Sequence, residues 1–360
     1  MEQHHIKVGI TQGDINGTGY EIILKAFEDP TMLELCTPVV FGSPKVAAFH
    51  KKVLGLETSF CPTATADEAP EGVLSMVNSC DDEVKVDLQK TDPEAGAAAF
   101  SALKVAVEEL QQDMFDTLVL MPSNASTRQA SCLPFLRERL FQEQDELPIL
   151  SHEGVRVAIA TPEMPLMDVQ EALDQDTLRD RILCFEESLQ EDFSAERPRI
   201  AVLSLNPGGG REALPGEYEK NVLMPLMEEL SQEHLVYGPY SMDYLLMPEV
   251  NRSFDGILAL YWDQGQSLFR ALSPQEGAML LAGNPDYVVT LPLEGCALEM
   301  AGKNLMNPDG LRQAVYLGMD VLRSRRFEAA ARRNPLRKQY FDRRDDSDKL
   351  KQLQNQEDEI

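Results

Sequence analysis

The chain has 360 residues, 43% hydrophobic and 26% charged, with a formal charge of −27. That length exceeds what one hydrophobic core covers, so two domains of an ordinary soluble protein are expected. No apolar stretch approaches the ~20 residues of a bilayer span, MEQHHIKVGI has no secretory-signal pattern, and so acidic a body repels a phosphate backbone; a cytoplasmic protein that binds neither membrane nor nucleic acid is expected.

The pattern along the chain alternates. IKVGIT (6–11) reads as a buried strand, and the glycines after it lead into the helical YEIILKAFED. TPVVFG (37–42) reads as a strand, followed by the helix SPKVAAFHKKVLG with Ser43 as N-cap and Pro44 in its first turn. PEAGAAAFSALKVAVEELQQD (93–113) is an alanine-rich amphipathic helix that leads to the strand DTLVLMP (116–122). A second series runs VRVAIAT (155–161, strand), DTLRDRILCFEESLQEDF (176–193, helix), RIAVLSLNP (199–207, strand) and YEKNVLMPLMEELSQ (218–232, helix). It closes with the strands DGILALYWDQG (255–265) and DYVVTLP (286–292) and the helix PDGLRQAVYLGMDVLRSRR (308–326). Short apolar strands alternating with helices predict an α/β fold with mostly parallel sheets. In such sheets ligands bind beyond the carboxyl ends of the strands. Glycine-bearing or polar turns stand there at 12–19, 122–125, 206–210 and 262–265.

TQGDINGTGYE (11–21) is either an anion-binding turn at a helix N-terminus or a plain tight turn, and its spacing is not G-x-G-x-x-G. SLNPGGGREALPG (204–216) is either a loop closing on a ligand, with Arg211 available to an anion, or a surface loop. The six cysteines form no CxxC pair and fit no zinc framework, so they read as buried thiols. The five histidines, His4, His5, His50, His152 and His234, avoid all four turns; His50 and His234 read as lying on helix surfaces or ends. From Arg323 onward 11 basic and 8 acidic residues stand against 22 and 52 before it. That tail reads as a helix end with a solvated extension, or as arginines that dock on an acidic partner.

The runs KVGITQGDINGTGYEIILKAF, PVVFGSPKVAAFHKKVLG, NPGGG, YWDQG and ALEMAGKN resemble the 4-hydroxythreonine-4-phosphate dehydrogenase (PdxA) family, most nearly its Bacteroidetes type, over roughly residues 5–325. The resemblance implies a fold like isocitrate and isopropylmalate dehydrogenases, with two α/β/α domains about a cleft. It implies residues 1–125 with about 275–325 as one domain, about 126–274 as a second carrying a homodimer interface, and 326–360 as a charged, partly disordered extension. It implies NAD-dependent oxidation of a phosphorylated hydroxy acid at a divalent metal, followed by loss of carbon dioxide.

Three family histidines hold that metal, and here their positions carry Glu163 (TPEMP), Gly208 (NPGGG) and Trp262 (YWDQG). The family's G-H-T-E segment has no counterpart at 130–140, and a substrate lysine falls on Ala125. The phosphate-site lysine falls on Arg270, and the cofactor loop reads LEGCA, with Glu294 for a histidine. Asp263 is retained from the catalytic turn, Asn124 beside Arg270 and Arg211 for a small anionic ligand, and Gly295 and Ala297 from the cofactor loop. The expectation is a folded, dimeric member of the family without metal-dependent activity, which pairs with itself or with an active paralogue. The alternative is an active NAD-dependent enzyme whose metal is held by Glu163, Asp263, Glu294 and Asp14.

Overall fold

A computed structural model describes residues 5–81, 84–124, 127, 131–141, 146–207, 216–274 and 277–333. Residues 1–325 form one compact unit. Residues 326–360 cluster as a second unit, described only at 326–333, so the expected charged extension lies largely outside the described residues. No helix among the described residues is long and apolar enough to cross a membrane.

The strands are β1 (Lys7–Thr11), β2 (Thr37–Gly42), β3 (Phe60–Thr63), β4 (Leu74–Asn78), β5 (Thr117–Val119), β6 (Leu147–His152), β7 (Val155–Ile159), β8 (Ile200–Leu203), β9 (Val236–Tyr240), β10 (Gly256–Ala259), β11 (Ala278–Ala282) and β12 (Val289–Pro292). The longer helices are α1 (Gly19–Ala26), α2 (Pro44–Leu54), α3 (Pro93–Leu110), α4 (Leu133–Leu140), α5 (Gln175–Glu191), α6 (Met224–Leu230), α7 (Trp262–Leu272) and α8 (Asp309–Arg333). The strands join one sheet in the order β3-β4-β2-β1-β5-β12-β11-β6-β7-β10-β8-β9. Pairing is parallel except where β11 runs against β12 and β6, and β6 against β7. The mostly parallel α/β architecture expected from the sequence is therefore observed, as one continuous sheet.

Local chemistry explains the elements. β2 and β8 are buried along their whole length, as parallel strands covered on both faces must be. Ser43 caps α2 by accepting from Val46 N at 3.3 Å, Pro44 opens it, and Gly55 at φ +67° ends it. Asp92 caps α3 by accepting from Glu94 N at 2.9 Å. The small side chains of Ala95, Ala98, Ala99, Ala102 and Ala106 are buried, and α3 packs on β1 and β2.

Two expectations are corrected. The stretch 255–265 is not one strand: β10 stops at Ala259, and Trp262 is the first residue of α7. Gln264 fixes that start, because its Oε1 accepts from Leu260 N at 2.8 Å and its Nε2 donates to Ser204 O at 2.8 Å. A Cβ at Gly265 would stand 2.6 Å from Ile159 Cγ1, so glycine lets α7 press onto β7. His50 is not on a helix surface either. It is buried, with Nε2 against Ile15 O at 2.8 Å and its ring beside Tyr20, and burial lowers its pKa.

Candidate functional site

The loop after β1 is knotted into the fold. Gly13 has φ +71°, and a Cβ there would meet Pro122 O at 2.6 Å. Asp14 is buried; its Oδ1 accepts from Asn16 N at 2.9 Å and its Oδ2 from Asn124 Nδ2 at 3.0 Å. Tyr20 donates to Gln12 Oε1 at 2.5 Å, and burial pushes its phenol far up. Thr18 Oγ1 donates to Cys296 O at 3.0 Å, and Glu21 accepts from Met306 N at 2.8 Å. Polar side chains of residues 14–21 thus tie the loop after β1 and the start of α1 to Asn124, Cys296 and Met306.

Beyond the carboxyl ends of β1, β5 and β12 lies a cavity of about 310 Å³. Its wall is mainly apolar, from α3, α4, β11, β12 and the segment just after β5, and includes Leu103, Leu136 and Met279. Glu163, Trp262 and the segment Glu294–Cys296 also line it. Three family positions that are far apart in sequence thus meet on one cavity. Gln266, one turn after Trp262 on α7, lines it too; sequence reasoning missed it, although the i, i+4 spacing from Trp262 was its signal once the helix is recognised.

The other candidates fall elsewhere. Asp263 is exposed in the first turn of α7, and Arg270 is exposed further along it; neither lines the cavity. Asn124 is buried on Asp14. Gly295 is exposed at the cavity edge with open space where a Cβ would stand, and Ala297 is left-handed at φ +41°. Ala125, Gly208 and Arg211 lie outside the described residues. Of the NPGGG turn, Asn206 is described: it donates from N and Nδ2 to the Glu219 carboxylate at 2.7 and 2.8 Å. Burial acts to raise the Glu219 carboxyl, but these hydrogen bonds outweigh it and hold the group below its usual range.

Glu294 aims its carboxylate at the start of α8. A Cβ on Gly310 would stand 2.0 Å from its Oε2, and both carboxylate oxygens are shielded from solvent. A helix N-terminus is a ready seat for a phosphate group. Here a carboxylate of the chain itself faces that seat, which does not match a diphosphate-bearing cofactor. Cys296 beside it is no nucleophile at neutral pH, because burial, with Asp14 and Glu299 adding to it, pushes its thiol up to about 12.

A catalytic metal does not fit the described residues either. Among them no three His, Cys, Asp or Glu side chains gather as a cation site. The four carboxylates of the alternative reading point to separate places: Asp14 to Asn124, Glu294 to Gly310, Asp263 to the surface, and Glu163 stands on the cavity. Trp262 offers one N–H donor and no lone pair.

Fold and cavity together define a mostly parallel α/β protein with a ligand-sized cleft at the carboxyl ends of its strands. Residues 34–318 match the family model described as pyridoxal phosphate biosynthetic protein PdxA, and the chain belongs to that family. A 4-hydroxythreonine-4-phosphate dehydrogenase of Bacteroides thetaiotaomicron is 46% identical over 98% of each chain. One from Sulfurihydrogenibium is 24% identical over 89% of this chain and all of its own. Among solved structures, the 4-hydroxythreonine-4-phosphate dehydrogenase of Klebsiella pneumoniae superposes with a TM-score of 0.76 at 21% identity, covering 89% of this chain and 99% of its own. At that identity the likeness speaks for the fold.

Proposed function

We propose that this chain is a 4-hydroxythreonine-4-phosphate dehydrogenase-like protein whose cleft still receives a small molecule but no longer performs metal-dependent alcohol oxidation. The observation that carries this reading is Trp262 on the cavity wall beside Glu163, at two positions where the family resemblance implies metal-holding imidazoles. Indole cannot ligate, and one carboxylate is too few for a catalytic site that needs three protein ligands. The protein acts in the cytoplasm as a homodimer or beside an active paralogue, a role that tolerates the loss. The test is NAD reduction by the purified chain with 4-hydroxythreonine 4-phosphate and zinc, magnesium or manganese. Turnover below ~0.1 s⁻¹ is expected, two decades under a median enzyme. Faster turnover overturns the proposal.

The comparisons favour a second reading, an active NAD-dependent oxidoreductase of the pyridoxal phosphate pathway. Its support is the 46% identity to the Bacteroides thetaiotaomicron dehydrogenase over nearly the full length of both chains. The same assay decides between the two. On this second reading, measurable turnover is lost when Glu163 is changed to Gln.

A further inference from the structure

At the opposite end of α7 from Trp262, about 15 Å along the helix, the chain forms a second cavity of about 640 Å³. It lies at the amino ends of β7 and β10, on the far edge of the sheet from the cleft. His152 ends β6 there and is only 8% exposed. Its Nδ1 is 2.8 Å from Ser273 Oγ, which holds the ring in place, and its Nε2 has no partner among the described residues. With Ser273 donating to Nδ1, the neutral ring carries its proton on Nε2, and a protonated ring donates from Nε2 as well. Arg252 and Asn251 line the same space, and neither side chain bonds a described residue.

Arg156 adds a fixed charge, its guanidinium donating to Gly154 O and Asp255 O at 3.4 Å and lying on the Phe193 ring. Two acids line the cavity. Glu153 is exposed in the turn between β6 and β7, and Asp255 is engaged, its Oδ2 accepting from Arg199 N at 2.8 Å. The lining is thus neutral in formal charge and rich in unspent donors, in a chain whose net charge is −27. The carboxyl end of α7 opposes an anion, but its partial charge is smaller than the full charge of one guanidinium. Much of the remaining wall is apolar and wet: Leu246 is 38% exposed, and Phe254 and Leu272 are half-buried. Covering them removes apolar surface from water.

We infer that this second cavity is a binding site for a small carboxylate bearing one apolar ring or branched chain. The carboxylate meets His152 Nε2 and the Arg252 fork with the Asn251 amide beside them, and the apolar body covers Leu246, Phe254 and Leu272. The site is separate from the cleft, so the inference stands whether or not the cleft is active.

The test is calorimetric titration of the full-length chain with 3-phenylpropanoate, 3-phenylpropanol and inorganic phosphate, read alongside NMR of the imidazole signals. The His152 signal is identified by its loss in His152→Gln. Saturable binding of 3-phenylpropanoate is expected, at least about tenfold tighter than the alcohol or phosphate, with a shift of the His152 signal. Arg252 is exposed, so Arg252→Gln keeps the fold; it is expected to weaken carboxylate binding by about tenfold and to leave the alcohol unchanged. The inference is overturned if the carboxylate gives no saturable binding, or if the alcohol or phosphate binds as tightly. It is equally overturned if the carboxylate binds without moving the His152 signal, or if Arg252→Gln leaves its affinity intact.

Discussion

Gly310→Ala probes the feature that sets the charge of the cofactor side of the cleft. The new methyl would stand 2.0 and 2.1 Å from the two oxygens of Glu294. The carboxylate must then retreat by about 1.4 Å to reach van der Waals distance. Overpacking costs about 1–3 kcal/mol, and because the atoms met are the far end of a flexible side chain, the cost here lies at the low end, about 1 kcal/mol. Alanine returns at most ~1 kcal/mol of helix propensity, and less in a first turn. A net loss of about 0.5–1 kcal/mol lowers the melting temperature of a chain this long by about 1 °C. Thermal unfolding of four proteins, wild type, Gly310→Ala, Glu294→Ala and the double variant, isolates the effect as a coupling of about 1 kcal/mol. In the Glu294→Ala background, Gly310→Ala should be neutral or slightly stabilising. An equal loss in both backgrounds, or none in either, would refute the placement of Glu294 against α8.

Other consequences follow from the same contacts. Gln264→Ala leaves the buried N–H of Leu260 and the carbonyl of Ser204 unpaired, so a loss of about 2–4 kcal/mol is expected in urea unfolding. Alkylation with iodoacetamide followed by mass spectrometry should modify the exposed Cys61 first, and Cys36 and Cys296, whose thiols burial pushes up to about 12, last. Burial depresses His50, so the unfolded chain takes up its proton first and stability falls as pH drops below about 6.5. His50→Gln should therefore lose its stability deficit relative to wild type as the pH is lowered from neutral to about 5, and a deficit that grows on acidification would contradict the assignment.

The parallel core was legible because its strands are unbroken apolar runs between capped helices. TPVVFG followed by Ser43-Pro44 gives strand, cap and helix start in eight residues, and each is found where the pattern puts it. The antiparallel middle was not legible. β6 begins Leu147-Pro148 and β11 is five apolar residues, AMLLA, so neither shows alternation or a helix period. Their pairing depends on strands more than a hundred residues away. The turn at 262–265 was misassigned because β10 and α7 adjoin without a proline or a capping side chain, and the cap is supplied from within the helix by Gln264. For the site, the family motifs brought Glu163, Trp262 and the 294–296 segment to one cavity, as the fold places them. Motifs could not tell that Asp14 and Asn124 are spent on each other, or that Glu294 faces α8, because those partners are set by tertiary packing.

If the cleft has lost its catalytic metal, calorimetric titration of the full-length chain with zinc, read alongside Trp262 emission, will show it. No saturable site at one ion per chain and no change in emission are expected. One tightly bound equivalent that alters Trp262 emission would contradict it.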